Sequence, residues 1–329
     1  MLPVMDVMTA RGGNRLRWPN LPAALRARVE AALGSPVRTA ENRDTGFSPG
    51  LASVLALADG RSVFAKAVSR SRNADSYRMH RREAEVLAQL PPTVPAPRLL
   101  WSDVDDEWVT IVVEAVAGTV PRLPWCQTEL RSFVSVAERL VVALTPSPVP
   151  AEPIQQTFAE AFSGWRTLAG APESTVGLDP WVCRHLERLA ALEAEWPAAA
   201  TGTSLLHGDL RGDNVLLTAD RGAVVVDWPS VCVGAGWVDL VCALPSIAMQ
   251  GGGDPEAVLA GFRPAHGVPP EAITAVAVAV TGLFLYSSRQ PPPLALPRLR
   301  GFQAAQAEAG LTWLRRRLGS QLGRQEMSP

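Results

Sequence analysis

Residues 205–227 read LLHGDLRGDNVLLTADRGAVVVD. Two apolar runs, 215–217 and 223–226, flank a cluster of Asp, Arg and Gly at 218–222, the pattern of a β-hairpin with polar groups at its ends. Asp209 precedes the hairpin on a loop, Asn214 stands where the first strand begins, and Asp227 ends the second strand. A hairpin returns its ends to one place. The spacing therefore predicts that a loop carboxylate, a carboxamide and a second carboxylate converge. Such a set suits a hydroxyl that must be oriented and a Mg²⁺ ion that prefers hard oxygen ligands.

The chain has 329 residues, 47% of them hydrophobic, enough for a large core in two lobes. Its net charge of −1 provides no overall basic field, which argues against nucleic acid or an anionic membrane as partner. Cys126, Cys183, Cys232 and Cys242 lack C-x-x-C spacing, so the sequence suits a reducing compartment, read as the cytoplasm. The first residues lack the apolar core of a signal peptide, and the longest apolar helix candidate, residues 272–286, reads as buried rather than membrane-spanning. G-x-S-x-G and H-E-x-x-H are absent, and no lysine follows a glycine as a P-loop requires.

Of the 31 basic residues only Lys66 is a lysine. It lies on the second strand of a hairpin (residues 51–57 and 62–68) that follows a glycine-containing loop at 42–50. A helix over 75–90 comes next, with Met79, Ala84, Leu87 and Leu90 able to face a core, and with Glu83 and Glu85 both candidates to pair Lys66. Strands at 99–102 and 108–114, joined by a solvated acidic turn, end at a break over 114–118. The chain then turns helical, with Trp165, Trp181 and Trp196 expected in packing roles. Residues 21–33 form a short lead-in helix. The last helix, 299–318, ends in Arg315, Arg316 and Arg317, read as a charge match to its C-terminus, with a frayed tail beyond.

H-G-D-x-x-x-x-N followed by a strand-end Asp resembles the core of the protein-kinase-like superfamily in its small-molecule branch, the aminoglycoside phosphotransferase-like family. The resemblance runs from about residue 40 to the end and implies an α+β, bilobal fold. It suggests an N-terminal extension with a short helix over 1–40, a nucleotide-binding lobe over 41–117, and a mainly helical lobe over 118–329 for catalysis and acceptor binding. It implies γ-phosphoryl transfer from Mg·ATP to a hydroxyl of a small molecule such as an antibiotic, sugar or amino alcohol. In this reading Asp209 handles the hydroxyl, Asn214 and Asp227 hold Mg²⁺, and Lys66 reaches the phosphates with Glu83 as its partner. Ser48 contacts phosphate, and the backbone of Glu114, Ala115 and Val116 receives adenine. Arg211 either adds positive charge at the transferring group or is an exposed loop arginine. Asp239 is either a brace for the catalytic loop or a helix N-cap. Trp228-Pro229 departs from the family's Asp-x-Gly, which argues against a switching loop. The other reading is a catalytically silent nucleotide-binding module. Beyond Asp239 the chain has five carboxylates against eight arginines, so a neutral or weakly charged hydroxylated acceptor is expected over a polycation.

Overall fold

The computed structural model describes residues 15–43, 49–293 and 297–325; the loop position Ser48 lies outside them. Helix α1 (Ala23–Leu33) leads into strand β1 (Val37–Asn42), followed by β2 (Leu51–Leu57), β3 (Ser62–Ser69), helix α2 (Ala74–Leu87), β4 (Leu99–Val104) and β5 (Trp108–Glu114). The strands form one antiparallel sheet in the order β1-β2-β3-β5-β4. Successive side chains on a strand point to opposite faces. In β3 this sends Val63, Ala65 and Ala67 into a core with Leu25, Val29 and Leu33 of α1, while Phe64 packs against the main core on the other side. Lys66 shares the parity of Phe64 and so faces α2 and the cleft. The boundary expected at 40/41 falls inside β1, because α1 and β1 build directly onto the sheet.

On α2 Tyr77, His80, Glu83, Ala84 and Leu87 form a buried stripe at three- and four-residue spacing, with Ser76 and Val86 buried beside it. Met79, expected in the core, is 48% exposed, because it falls one position off that stripe. Asn73 caps the helix by accepting the Ser76 N–H at 2.7 Å. The acidic turn between β4 and β5 is more than solvated: Asp103 and Asp105 both pair with Arg28 of α1, at 3.0 and 2.9 Å.

After β5 the chain crosses to β6 (Gly118–Thr119) and α3 (Gln127–Ala143), then α4 (Gly164–Ala169) and α5 (Pro180–Ala194). Strand β7 (Ser204–Leu206) feeds the loop carrying Asp209, and β8 (Val215–Thr218) with β9 (Gly222–Val225) forms the predicted hairpin. β6 pairs with β8, which sets the interlobe crossing against the hairpin's edge. Strand β10 (Cys232–Gly234) pairs with β7. The remaining helices are α6 (Val238–Met249), α7 (Pro255–Ala260), α8 (Pro270–Ser288) and α9 (Leu299–Gln325).

Helix α8 is longer than expected because Pro269 and Pro270 start it two residues earlier. By length and composition alone it could cross a membrane. Residues Ile273 through Gly282 are buried, however, packed within this lobe, and that burial accounts for the apolar composition. Helix α9 also outruns its expected end, so Arg315, Arg316 and Arg317 lie inside it rather than in its last turn. Instead of matching the helix terminus they bind acids of neighbouring elements: Arg315 to Asp179 at 2.9 Å, Arg316 to Asp254 at 3.9 Å, and Arg317 to Glu256 at 2.6 Å. Trp165 and Trp196 are fully buried, as their packing role requires. Trp181 is half-buried, stacked on His185 with Arg315 over its ring.

Candidate active site

The Lys66 ammonium lies 2.8 Å from each carboxylate oxygen of Glu83 and 2.6 Å from Oδ1 of Asp227. Glu83 is selected over Glu85 by helix geometry: Glu83 sits on the buried stripe of α2, while Glu85 pairs with Arg81 on the outer face. Burial opposes the lysine's charge, but Asp227 and Glu83 outweigh it and hold Lys66 above its ordinary range. Burial also works against Asp227, yet the adjacent ammonium wins and holds that carboxyl well below its ordinary range. His80 lies on the same stripe, and burial, helped by the charge of Lys66, pushes it down to about 3.

Asp227 has φ of +70°, the single non-glycine positive φ among the described residues. That conformation is uncommon outside glycine, although Asp tolerates it better than most residues. Trp228 anchors it. The indole is fully buried, donates to the Val225 carbonyl at 2.9 Å, and packs edge-on against His207 with centroids 4.8 Å apart. Its backbone N–H also reaches Glu83 at 3.4 Å, so α2 touches the second lobe here.

The Asp209 loop is held from beneath. Asp239 accepts the N–H of His207 at 2.7 Å and that of Gly208 at 3.0 Å, while the N-cap position of α6 belongs to Trp237. The brace reading of Asp239 is therefore the one the geometry supports. The His207 ring accepts the Asp209 N–H at Nδ1 (3.3 Å), so Nε2 carries the proton and donates to Val226 O at 3.1 Å. Gly208 has φ of +76°, and a Cβ there would meet the Ser230 carbonyl oxygen at 2.1 Å.

Asn214 donates through Nδ2 to the Asp209 carbonyl (2.8 Å) and to its Oδ2 (3.3 Å), and its own carbonyl accepts the Val226 N–H at 2.9 Å. The three polar groups read from the hairpin do converge. Burial pushes Asp209 above its ordinary range, with Arg211 pulling the other way. Arg211 is neither an exposed loop residue nor free in the cleft: Nε and Nη2 fork onto Asp213 at 3.1 Å each, and Nη1 lies 3.6 Å from Asp209. Asp213, His80 and the His207 ring were not singled out from sequence. Asp213 was legible as the acid two residues beyond Arg211, and His80 as the residue one turn before Glu83.

At the crossing between lobes, Glu114 pairs with Val63 three positions along β3 from Lys66. Its side chain receives Arg221 of the hairpin turn at 2.6 Å, and Arg221 also donates to the Ala96 carbonyl at 3.2 Å. Ala115 and Val116 follow, half-buried, and the Val116 carbonyl accepts the Gly118 N–H at 3.0 Å. A cavity of about 290 Å³ opens behind Asp209, between the segment leading into β10 and helices α6, α8 and α9.

The fold has close relatives in shape among solved structures. An aminoglycoside phosphotransferase from Alicyclobacillus acidocaldarius is 15% identical, with a TM-score of 0.58, 93% of this chain covered and 97% of the other. A choline kinase from Streptococcus pneumoniae is 12% identical (TM-score 0.59; 89% and 98% covered). A macrolide 2′-phosphotransferase from Brachybacterium faecium is 18% identical (TM-score 0.52; 88% and 98% covered). At these identities the likeness establishes the bilobal protein-kinase-like fold. No curated protein sequence matches the chain. The model of the phosphotransferase enzyme family, however, matches residues 45–277, well over half of the sequence, and the chain is therefore a member of that family.

Proposed function

We propose that the chain transfers the γ-phosphoryl group of Mg·ATP to a hydroxyl of a small molecule. The observation that carries this reading is the meeting, in one cleft, of the Lys66–Glu83 pair with Asp209, Asn214 and Asp227. Asp209 accepts the proton of the acceptor hydroxyl, its carboxylate oriented by Asn214 Nδ2 and its loop held by Asp239. Lys66 neutralises phosphate oxygens as a compact ammonium, with Glu83 fixing its position. Residues 41–117 serve the nucleotide, with the backbone of Glu114, Ala115 and Val116 at adenine and Ser48 as a phosphate contact. Residues 118–329 supply the chemistry and the acceptor pocket, and Arg211 holds positive charge beside Asp209.

The donor set fits Mg²⁺. With Nδ2 of Asn214 and Oδ1 of Asp227 engaged, Asn214 Oδ1 and Asp227 Oδ2 remain as hard oxygen ligands. Among the described residues no group of three His, Cys, Asp or Glu could hold a metal alone. That matches an ion which keeps waters and takes phosphate oxygens as its other ligands. When bound, it would neutralise and orient the phosphates.

The presence of Lys66, Glu83, Asp209, Asn214 and Asp227 together supports activity over a silent nucleotide-binding module. The four cysteines are unpaired thiols, which suits the reducing cytoplasm where ATP is available. The test is ADP release from Mg·ATP with a panel of hydroxylated acceptors. We expect turnover in the native chain and its loss in Asp227→Ala, which leaves too few anionic ligands for the cation. Nucleotide binding with no acceptor-dependent turnover would support the silent module instead.

A further inference from the structure

The cavity behind Asp209 has a composition the rest of the chain does not share. Four of the chain's eight phenylalanines, Phe158, Phe162, Phe284 and Phe302, line it, with Val280 and Leu283 between them. Phe158 and Phe162 lie with ring centroids 5.1 Å apart, and Phe162 meets Trp196 edge-on at the same distance, so this wall is fixed by packing. At about 290 Å³ the cavity sits near the lower end of ligand pockets, which run from about 300 to 1,000 Å³.

Its charged groups are all engaged. The carboxylates in the wall are Asp209 and Asp239. Both oxygens of Asp239 hold backbone N–H groups, and Asp209 is the group that handles the hydroxyl. The cation in the wall is Arg211. Asp254 and Glu256, which follow Asp239 in sequence, are bound to Arg316 and Arg317, and Asp179 to Arg315. Cys232 and Cys242 also line the cavity, and burial pushes both thiols up, so they stay neutral. An ammonium brought into this wall would be desolvated beside Arg211 with no free carboxylate to meet it, which is strongly unfavourable. A sugar would set its hydroxyls against phenyl rings, leaving most of them without partners.

Four neutral polar residues line the cavity, Ser230, Ser246, Gln303 and Gln306, and of these Ser246 and Gln306 are the ones buried in the apolar wall. Gln306 is 2% exposed and Ser246 is 3% exposed, and Gln306 Nε2 donates to Ser246 Oγ at 2.7 Å. The amide oxygen of Gln306 has no protein partner among the described residues, while the residue lines the cavity. A buried acceptor of this kind calls for a donor on whatever fills the space.

We propose that the acceptor is a neutral, largely apolar alcohol carrying one N–H or O–H donor, seated among the phenylalanines and read by the Gln306 amide. This rests on the phosphotransfer reading above and narrows its acceptor, excluding amino alcohols and sugars as preferred substrates.

The probes are N-(3-hydroxypropyl)benzamide, its N-methyl analogue, choline, and a polycationic aminosugar, tested on the full chain with Mg·ATP by equilibrium binding and by ADP release. The benzamide alcohol should bind at least about tenfold more tightly than choline or the aminosugar. Methylating its nitrogen should weaken it about tenfold, the size of one hydrogen bond to a buried amide. Gln306→Leu should erase that N–H preference, an effect that loss of packing alone would not produce. Gln306→Glu keeps the shape and adds the missing carboxylate, so choline binding should rise about tenfold there, which retains a test if the leucine variant fails to fold. Preference for choline or the aminosugar, an unchanged N–H preference in Gln306→Leu, or no binding of the benzamide alcohol up to its solubility would each overturn the proposal. Binding of the benzamide alcohol with no phosphoryl transfer to any probe would defeat the phosphotransfer reading and leave the pocket's chemistry standing.

Discussion

Lys66 is held by two carboxylates in unlike surroundings, Glu83 buried on α2 and Asp227 partly open to the cleft. Three oxygens within 2.8 Å of one nitrogen suit a compact ammonium with three donors. A guanidinium is planar and longer, so it must abandon Glu83 or intrude where phosphate would lie. Lys66→Arg should therefore lower turnover by roughly 10²-fold or more with the fold intact, as read by steady-state kinetics beside a thermal melt. Equal activity would mean that the sole lysine has no special role. Asp209 permits a sharper test. Its pKa is raised above the ordinary 3.8, and a base works only when deprotonated, so kcat/KM should rise with pH through a limb above that value. Asp209→Asn should lose the limb and roughly 10²- to 10⁴-fold in turnover while still binding nucleotide. A mutant that kept the limb would assign the base elsewhere. These residues were legible from sequence because their spacing is local. Glu83 and Glu85 stayed equivalent by local pattern and were separated by the family resemblance, a choice the buried stripe of α2 explains, and Gln306 gave no signal, since its environment is made by α6 and α8, distant in the chain.

At the scale of elements, the hairpin and the strands before it were readable because short apolar runs bounded by turn residues are local properties. Helix ends were less so. α8 begins two residues before its expected limit because Pro269 and Pro270 open it, and α9 runs on past residue 318, where the arginine run suggests its end. The Asp209 loop shows how tightly elements constrain one another. Between β7 and the turn before β8 it passes against the segment preceding β10, close enough that the Ser230 carbonyl fills the space of a Cβ on Gly208. Gly208 also requires a positive φ. Gly208→Ala should combine a clash with a strained backbone, a cost of at least about 1–3 kcal/mol. It should also shift Asp209 enough to cost on the order of 10²-fold in turnover. Chemical denaturation and kinetics on the same variant check both halves, and an alanine that leaves stability and rate untouched would mean that the loop can move away from Ser230.

The whole molecule is joined through the polar cluster as much as through the linker after β5. Glu83 reaches the Trp228 N–H, Lys66 reaches Asp227, Arg82 donates to the Pro150 carbonyl at 3.1 Å, and Val225 donates to the Pro95 carbonyl at 2.7 Å. His80 is buried beside this junction, 7% exposed, where the charges of Lys66 and Arg15 oppose its protonation and that of Asp227 favours it. The sign of its contribution follows from the direction of the shift. The folded chain takes up the His80 proton only near pH 3, whereas the unfolded chain takes it up near 6.5. Between those values the unfolded state binds the extra proton, so stability is complete above about pH 6.5 and falls as the pH drops towards 3. One such group contributes about 1.4 kcal/mol per pH unit inside the window. Asp227 acts in the same sense, but only below its ordinary value of 3.8. The burial that raises Glu83 above 4.5 acts in the opposite sense, which is why the comparison must be made against a variant lacking only the imidazole. Urea titrations at pH 7 and pH 5 should show the native chain losing more stability on acidification than His80→Leu, by on the order of 2 kcal/mol. Parallel losses in the two proteins would mean that the imidazole is protonated in the folded state, and that the lobes meet around a cationic histidine.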